Sequence, residues 1–84
     1  MSENNSTKKL VSHIPERMKE REWSADTMRT VALRNGMTMS SQTAYRIGKG
    51  AANLNMETLE KLCILFDEPI ERMISMEIPA SELP

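Results

Sequence analysis

Helix-stopping residues recur so often along this chain that none of its elements can be long. Asn35-Gly36 and Gly48-Lys49-Gly50 supply residues that tolerate the left-handed backbone with which helices end, and Pro15 and Pro69 suit a first helical turn but not an interior. Between these points apolar residues return every three or four positions, the spacing that gathers them on one helical face. Ile14 and Met18 define a first helix, capped by Ser12 or His13 and running to about Glu22. Ser24 caps a second at about 24 to 35, with Asp26 favourably placed in its first turn and Met28, Val31, Ala32 and Leu33 as its stripe. Ser40 caps a third through about Gly48, with Ala44 and Ile47 facing inward. Asn55 caps a fourth bearing Met56, Leu59, Leu62, Cys63 and Phe66, and Pro69 opens a fifth with Ile70, Met73 and Ile74 facing in. The pattern predicts an all-α bundle of five short helices and no strand.

A chain of 84 residues has room for one core. Its aromatics are Trp23, Tyr45 and Phe66, against eight Met, so the core is expected to be aliphatic and adaptable, with Trp23 filling the gap between the first two helices. Residues 1–11 read as a mobile polar arm, 12–76 as the folded domain and 77–84 as a polar tail. The polar start has no apolar stretch of the kind a signal peptide needs, and nothing approaches the roughly eighteen apolar residues of a membrane span, so a cytoplasmic protein away from membranes is expected. Cys63 is the only cysteine and His13 the only histidine, which leaves no internal disulfide and no metal site to propose. Cys63 falls on an apolar face and reads as a small core residue. Gly48-Lys49-Gly50 lacks the spacing of a phosphate-binding loop, and a serine triad needs a histidine in a pocket that so short a chain cannot readily build. Neither catalysis nor a cofactor is expected.

The formal net charge of −1 hides a strong division. Residues 1 to 23 carry +1, residues 24 to 56 carry +3 through Arg29, Arg34, Arg46 and Lys49 against Asp26, and the remainder carries −5. The basic part is the middle, where two short helices meet at a tight turn. The second of them opens with Ser40-Ser41-Gln42-Thr43 and bears Arg46 one turn on. A helix of this kind can enter the major groove, with Gln42 matching adenine and Arg46 guanine, and with Ser41 and Thr43 serving bases or phosphate. Arg29 and Arg34 read first as solvated surface.

Three stretches resemble the Cro and phage-repressor helix-turn-helix family, also called the xenobiotic-response-element family. Gln42 to Gly50 is similar to its recognition helix and following turn, Asn55 to Asp67 to its fourth helix, and Glu68 to Ile74 to its closing helix. The likeness covers about residues 12 to 75. It implies a lambda-repressor-like domain in a transcriptional regulator bound to double-stranded DNA. Ser41, Gln42 and Arg46 would read bases, while Ser24, Thr27, Ser40, Thr43, Lys49 and Asn53, with the backbone at Ala52, would meet phosphate. Departures lie upstream: Ser24 to Ser40 is sixteen positions, longer than the family's spacing, and the surplus is assigned to the second helix and to the turn around Gly36 to Met39. Ala44 and Gly48 stand where the family tends to have an aliphatic residue and an acid. A weak homodimer formed on DNA is expected, since no heptad or apolar excess remains after the core is filled; Met73 and Met76 are candidates for its face. The alternative is an antitoxin or adaptor on the same fold, gripping a toxin or other protein through the acidic final third.

Overall fold

The computed structural model describes residues 9–77, in the order β1 (Lys9–Ser12), α1 (Ile14–Arg21), α2 (Ala25–Arg34), α3 (Ser41–Gly48), α4 (Met56–Phe66), α5 (Ile70–Met73) and β2 (Ile74–Glu77). Three helices begin with one device. The side-chain oxygens of Ser24, Ser40 and Asn55 accept the backbone N–H of Thr27, Thr43 and Thr58, donors that have no acceptor within their own helices. α1 starts differently: His13 holds the cap position without a capping bond, and the buried Ser12 hydroxyl accepts from the Ile14 N–H at 3.2 Å.

α1 to α4 also end alike. The N–H groups of Glu22 and Trp23 return to the carbonyls of Lys19 and Met18, and the same nested pair forms from Gly36 and Met37, Gly50 and Ala51, and Asp67 and Glu68. The first residue of each pair is left-handed: Glu22 at φ 58° and Asp67 at 55° as well as the two glycines. The second residue is thereby turned back onto its own helix. Met37 enters the core this way, and Trp23 reaches Phe66, with ring centroids 5.0 Å apart and planes inclined by 54°. Trp23 is thus seated on α4 as well as beside α1.

Ile14, Met18, Met28, Ala32, Met37, Ala44, Ile47, Leu59, Leu62, Phe66 and Met73 form the core. Val31 and Cys63, expected within it, are half-buried at its margin. Leu33 and Met56 are largely exposed, and Ile70 is exposed too. A stripe containing Ala32 and Leu33 spans about 100° more of the helix than one buried face can cover, so the second of the two turns outward. Met37 escapes the periodic pattern because a residue beyond a helix end belongs to no stripe.

The expectation of no strand is corrected by a two-stranded antiparallel ladder, in which Lys9 pairs with Glu77, Leu10 with Met76, Val11 with Ser75 and Ser12 with Ile74. The fifth helix stops at Met73 because Ile74 is already extended, at φ −140° and ψ 139°, so Ile74 packs from a strand. Four-residue strands are too short for alternation to register, and their partners lie at opposite ends of the chain. His13 locks the closed end of the ladder: its N–H donates to the Met73 carbonyl at 2.8 Å, and its Nε2 lies 2.7 Å from the Ser75 hydroxyl. Residues 9–11, read as arm, and Glu77, read as tail, are therefore strand residues; the rest of both segments lies outside the described residues.

Charged side chains tie α1 to the α4–α5 corner. Arg21 donates to the Phe66 carbonyl, pairs with Glu68 at 3.1 Å and lies over the Trp23 and Phe66 rings at 5.9 and 5.3 Å. Arg72 reaches Glu68 at 2.7 Å. Hydrogen bonds from Arg21 and Arg72 hold the Glu68 carboxyl below its ordinary range.

Two outcomes follow from this packing. Left-handed backbone costs a side-chain-bearing residue about 1–2 kcal/mol, part of which glycine returns through its freer unfolded chain, so Glu22→Gly should gain about 0.5–1 kcal/mol. A raised urea midpoint at unchanged slope is the expected reading. A carboxylate whose pKa is lowered by folding adds stability above its unfolded pKa and loses it as pH falls through the folded value. Thermal midpoints of Glu68→Gln should therefore fall less steeply than wild type on the acid side of the ordinary carboxylate range.

Candidate nucleic-acid interface

α3 packs directly against α2 and α1 and buries Ala44 and Ile47. At about 100° per residue the opposite side of the helix centres on Gln42 and Lys49, flanked by Tyr45 and Arg46, with Ser41 at the rim. All five are exposed. The three residues expected to read bases thus share one outward face, and Lys49 lies along it.

The expected phosphate set divides between two helix starts and the end of α3. The Ser40 hydroxyl accepts from the Thr43 N–H at 3.0 Å and donates to the Thr43 hydroxyl at 3.0 Å. Thr43 keeps its own proton free to donate outward. Ser24 and Thr27 repeat the arrangement at α2, with the N–H bond at 3.1 Å and the hydroxyls 3.0 Å apart. Each helix start therefore presents exposed N–H groups beside a hydroxyl pair, the chemistry that holds an anion at a helix N-terminus. Gly48 faces α1 and the start of α2: a Cβ placed there would meet Met18 Cε at 3.3 Å and Ala25 Cβ at 3.9 Å. Gly48, which stands where the family tends to have an acid, thereby brings the end of α3 beside the first turn of α2. Ser40 lies at the other end of α3, about 12 Å away along its axis. Asn53 is exposed in the loop that follows, and Ala52 is half-buried there.

The sixteen positions from Ser24 to Ser40 are taken up by ten residues of α2 and a connection of six, residues 35 to 40. Arg29, expected as solvated surface, is exposed and also braces the connection. Its Nε donates to the Met39 carbonyl at 2.9 Å and ties α2 to the turn before α3. No periodic signal marks such a bond. Tyr45 is a further residue of this face that the sequence reading did not single out, although its position three after Gln42 and four before Lys49 places it there. The Lys49 ammonium lies 5.3 Å from the centre of its ring.

Electrostatics favour the same face. Among the described residues, ion pairs engage Arg17, Arg21, Lys61 and Arg72, whereas none engages Arg29, Arg34, Arg46 or Lys49. The cations of α1, α4 and α5 are largely neutralised by neighbours, while those of the middle segment remain available. Burial, and then the charges of Glu60 and Glu71, push the Cys63 thiol pKa up, away from the reactive thiolate.

No helix among the described residues is long and apolar enough to cross a membrane. Comparison with curated proteins and with solved structures gave no match. A family model for the Cro/C1-type HTH DNA-binding domain matches residues 13–77, which takes in α1 to β2 and leaves β1 before its start. With α2 and α3 packed as consecutive partners and the polar side of α3 turned outward, the chain belongs to the Cro/C1-type helix-turn-helix DNA-binding family.

Proposed function

We propose that this domain is a sequence-specific transcriptional regulator that places α3 in the major groove. The observation that carries this reading is the outward face of α3, where Gln42 and Arg46 project without intramolecular partners among the described residues, beside cations that no acid neutralises. Gln42 and Arg46 supply the bidentate groups that distinguish adenine and guanine, and Ser41 serves the base at the helix tip. Ser24, Thr27, Ser40, Thr43, Lys49 and Asn53 hold the two strands' phosphates on either side and set the register in which α3 reads. The domain works as a weak homodimer assembled on DNA, so its site is a two-fold repeat.

Reading and holding leave different signatures. Arg46→Ala and Gln42→Ala should each cost about 1–3 kcal/mol on the preferred duplex, and Gln42→Ala should leave unrelated duplex nearly unaffected because it removes no charge. Lys49→Ala should weaken both duplexes alike and flatten the dependence of log affinity on log salt by about one. Titrations of the three variants at several salt concentrations decide the matter. Uniform losses for all three, or no binding to any duplex, would count against major-groove reading.

A second reading, as an antitoxin or adaptor, is favoured by one observation. Ile64 on α4 is 79% exposed, and Glu60 and Glu71 lie close enough to the adjacent Cys63 to raise its pKa. An exposed apolar side chain with Asp67 and Glu68 on one flank suits a basic protein partner, and those acids would repel DNA. In that role Ile64→Lys should abolish capture of a basic partner while leaving duplex affinity unchanged; a partner retained undiminished by the variant would dismiss it.

A further inference from the structure

The chain has three aromatic residues, and two of them are committed to folding, since Trp23 and Phe66 stack at 5.0 Å. The third, Tyr45, is 60% exposed. Its place on α3 is specific: it stands three residues after Gln42 and directly before Arg46, on the side of the helix opposite the buried Ala44 and Ile47. One face of its ring is occupied by the Lys49 ammonium at 5.3 Å, an attraction of cation to ring that limits how the two side chains move. The exposed part of the side chain lies on the outward side of α3 that also carries Gln42 and Arg46. A base edge in the major groove offers hydrogen-bonding atoms and one apolar group, the C5 methyl of thymine. Gln42 and Arg46 match the former. An open aromatic surface beside Gln42, on the flank away from Arg46, matches the latter.

We infer that Tyr45 is a specificity residue that packs its ring on a thymine C5 methyl. The inference rests on the major-groove reading of α3 and adds to it an apolar contact. It makes the ring, and not the hydroxyl, the recognising group. Tyr45→Phe should then keep the preference for thymine, and Tyr45→Ala should lose it.

Replacing thymine by deoxyuridine removes the methyl and leaves every hydrogen-bonding atom unchanged, so it isolates the proposed contact. In the preferred duplex, each thymine is replaced singly, and affinities are measured for wild type, Tyr45→Phe and Tyr45→Ala, with thermal midpoints confirming that all three fold. Wild type and Tyr45→Phe should lose about fourfold at one thymine position per half-site, the worth of one buried methyl, and Tyr45→Ala should be indifferent there. Equal sensitivity of Tyr45→Ala and wild type at every thymine, or insensitivity of wild type throughout, would overturn the inference while leaving the Gln42 and Arg46 contrasts intact. Loss of those contrasts as well would overturn the major-groove reading on which it rests.

Discussion

The placement of α3 depends on a turn with its own anchor in the core. Gly36 is left-handed, and the two hydrogen bonds that follow, from Gly36 to Leu33 and from Met37 to Ala32, reverse the chain at the end of α2. The reversal drops Met37 into the core beside Ala32. Arg29 then fixes the far side of the same turn through the Met39 carbonyl. A connection longer than the family's spacing would ordinarily cost more to close and hold less well. Here its slack is removed at both ends, by apolar burial after Gly36 and by a charge-assisted bond before Ser40. The angle between α2 and α3, and so the direction in which the outer face of α3 points, follows from those two attachments.

The parts of this structure that were legible in the sequence are those governed by local rules. Ser24, Ser40 and Asn55 could be assigned as caps because a hydroxyl or amide three residues before a free N–H is a local fact, and the apolar spacing that follows each cap is another. Residues whose placement is decided at a distance were not legible. β1 and β2 find each other only after the helices have brought the ends of the domain together, and Met37 is buried by a turn and not by a stripe. The hydrogen bond of the exposed Arg29 was not legible because its acceptor is a backbone carbonyl, which carries no side-chain signature. For the candidate site the division is the same. Gln42, Arg46 and Lys49 were legible from the cap at Ser40 and the helical period. The place of Tyr45 on that outward face was hidden because an aromatic in a helix is first counted toward the core, and only its exposure removes it from that count.

A net charge of −1 sits easily with DNA binding once the pairing of charges is followed through the fold. Glu68 is taken up by Arg21 and Arg72, Glu20 by Arg17 and Arg72, and Glu57 by Lys61. These pairs knit α1 to the α4–α5 corner and commit that region's cations to its own acids. Screening shortens the reach of exposed charges to about 8–10 Å at ordinary salt. Acids on α4 and α5 therefore act on their own surroundings, and a phosphate backbone laid along α3 would meet the charges of Arg46 and Lys49, unpaired among the described residues.

The same division separates residues that hold the fold from residues free to choose a ligand. Ser24 and Ser40 do both, since each hydroxyl that would steady a phosphate also satisfies the N–H of Thr27 or Thr43. Removing either would loosen a helix and a contact together, and a loss of binding from such a change could not be assigned to contact alone. Gln42 and Arg46 carry no such double duty. Both are exposed, neither caps a helix, and neither lies in the core. They can change without disturbing the turn at Met37 or the close approach at Gly48. A fold whose geometry is fixed by caps, left-handed ends and the buried Met37 thus leaves the outer face of α3 free to vary, and on the proposed reading preference for a particular duplex becomes a property of side chains on which the fold makes no demand.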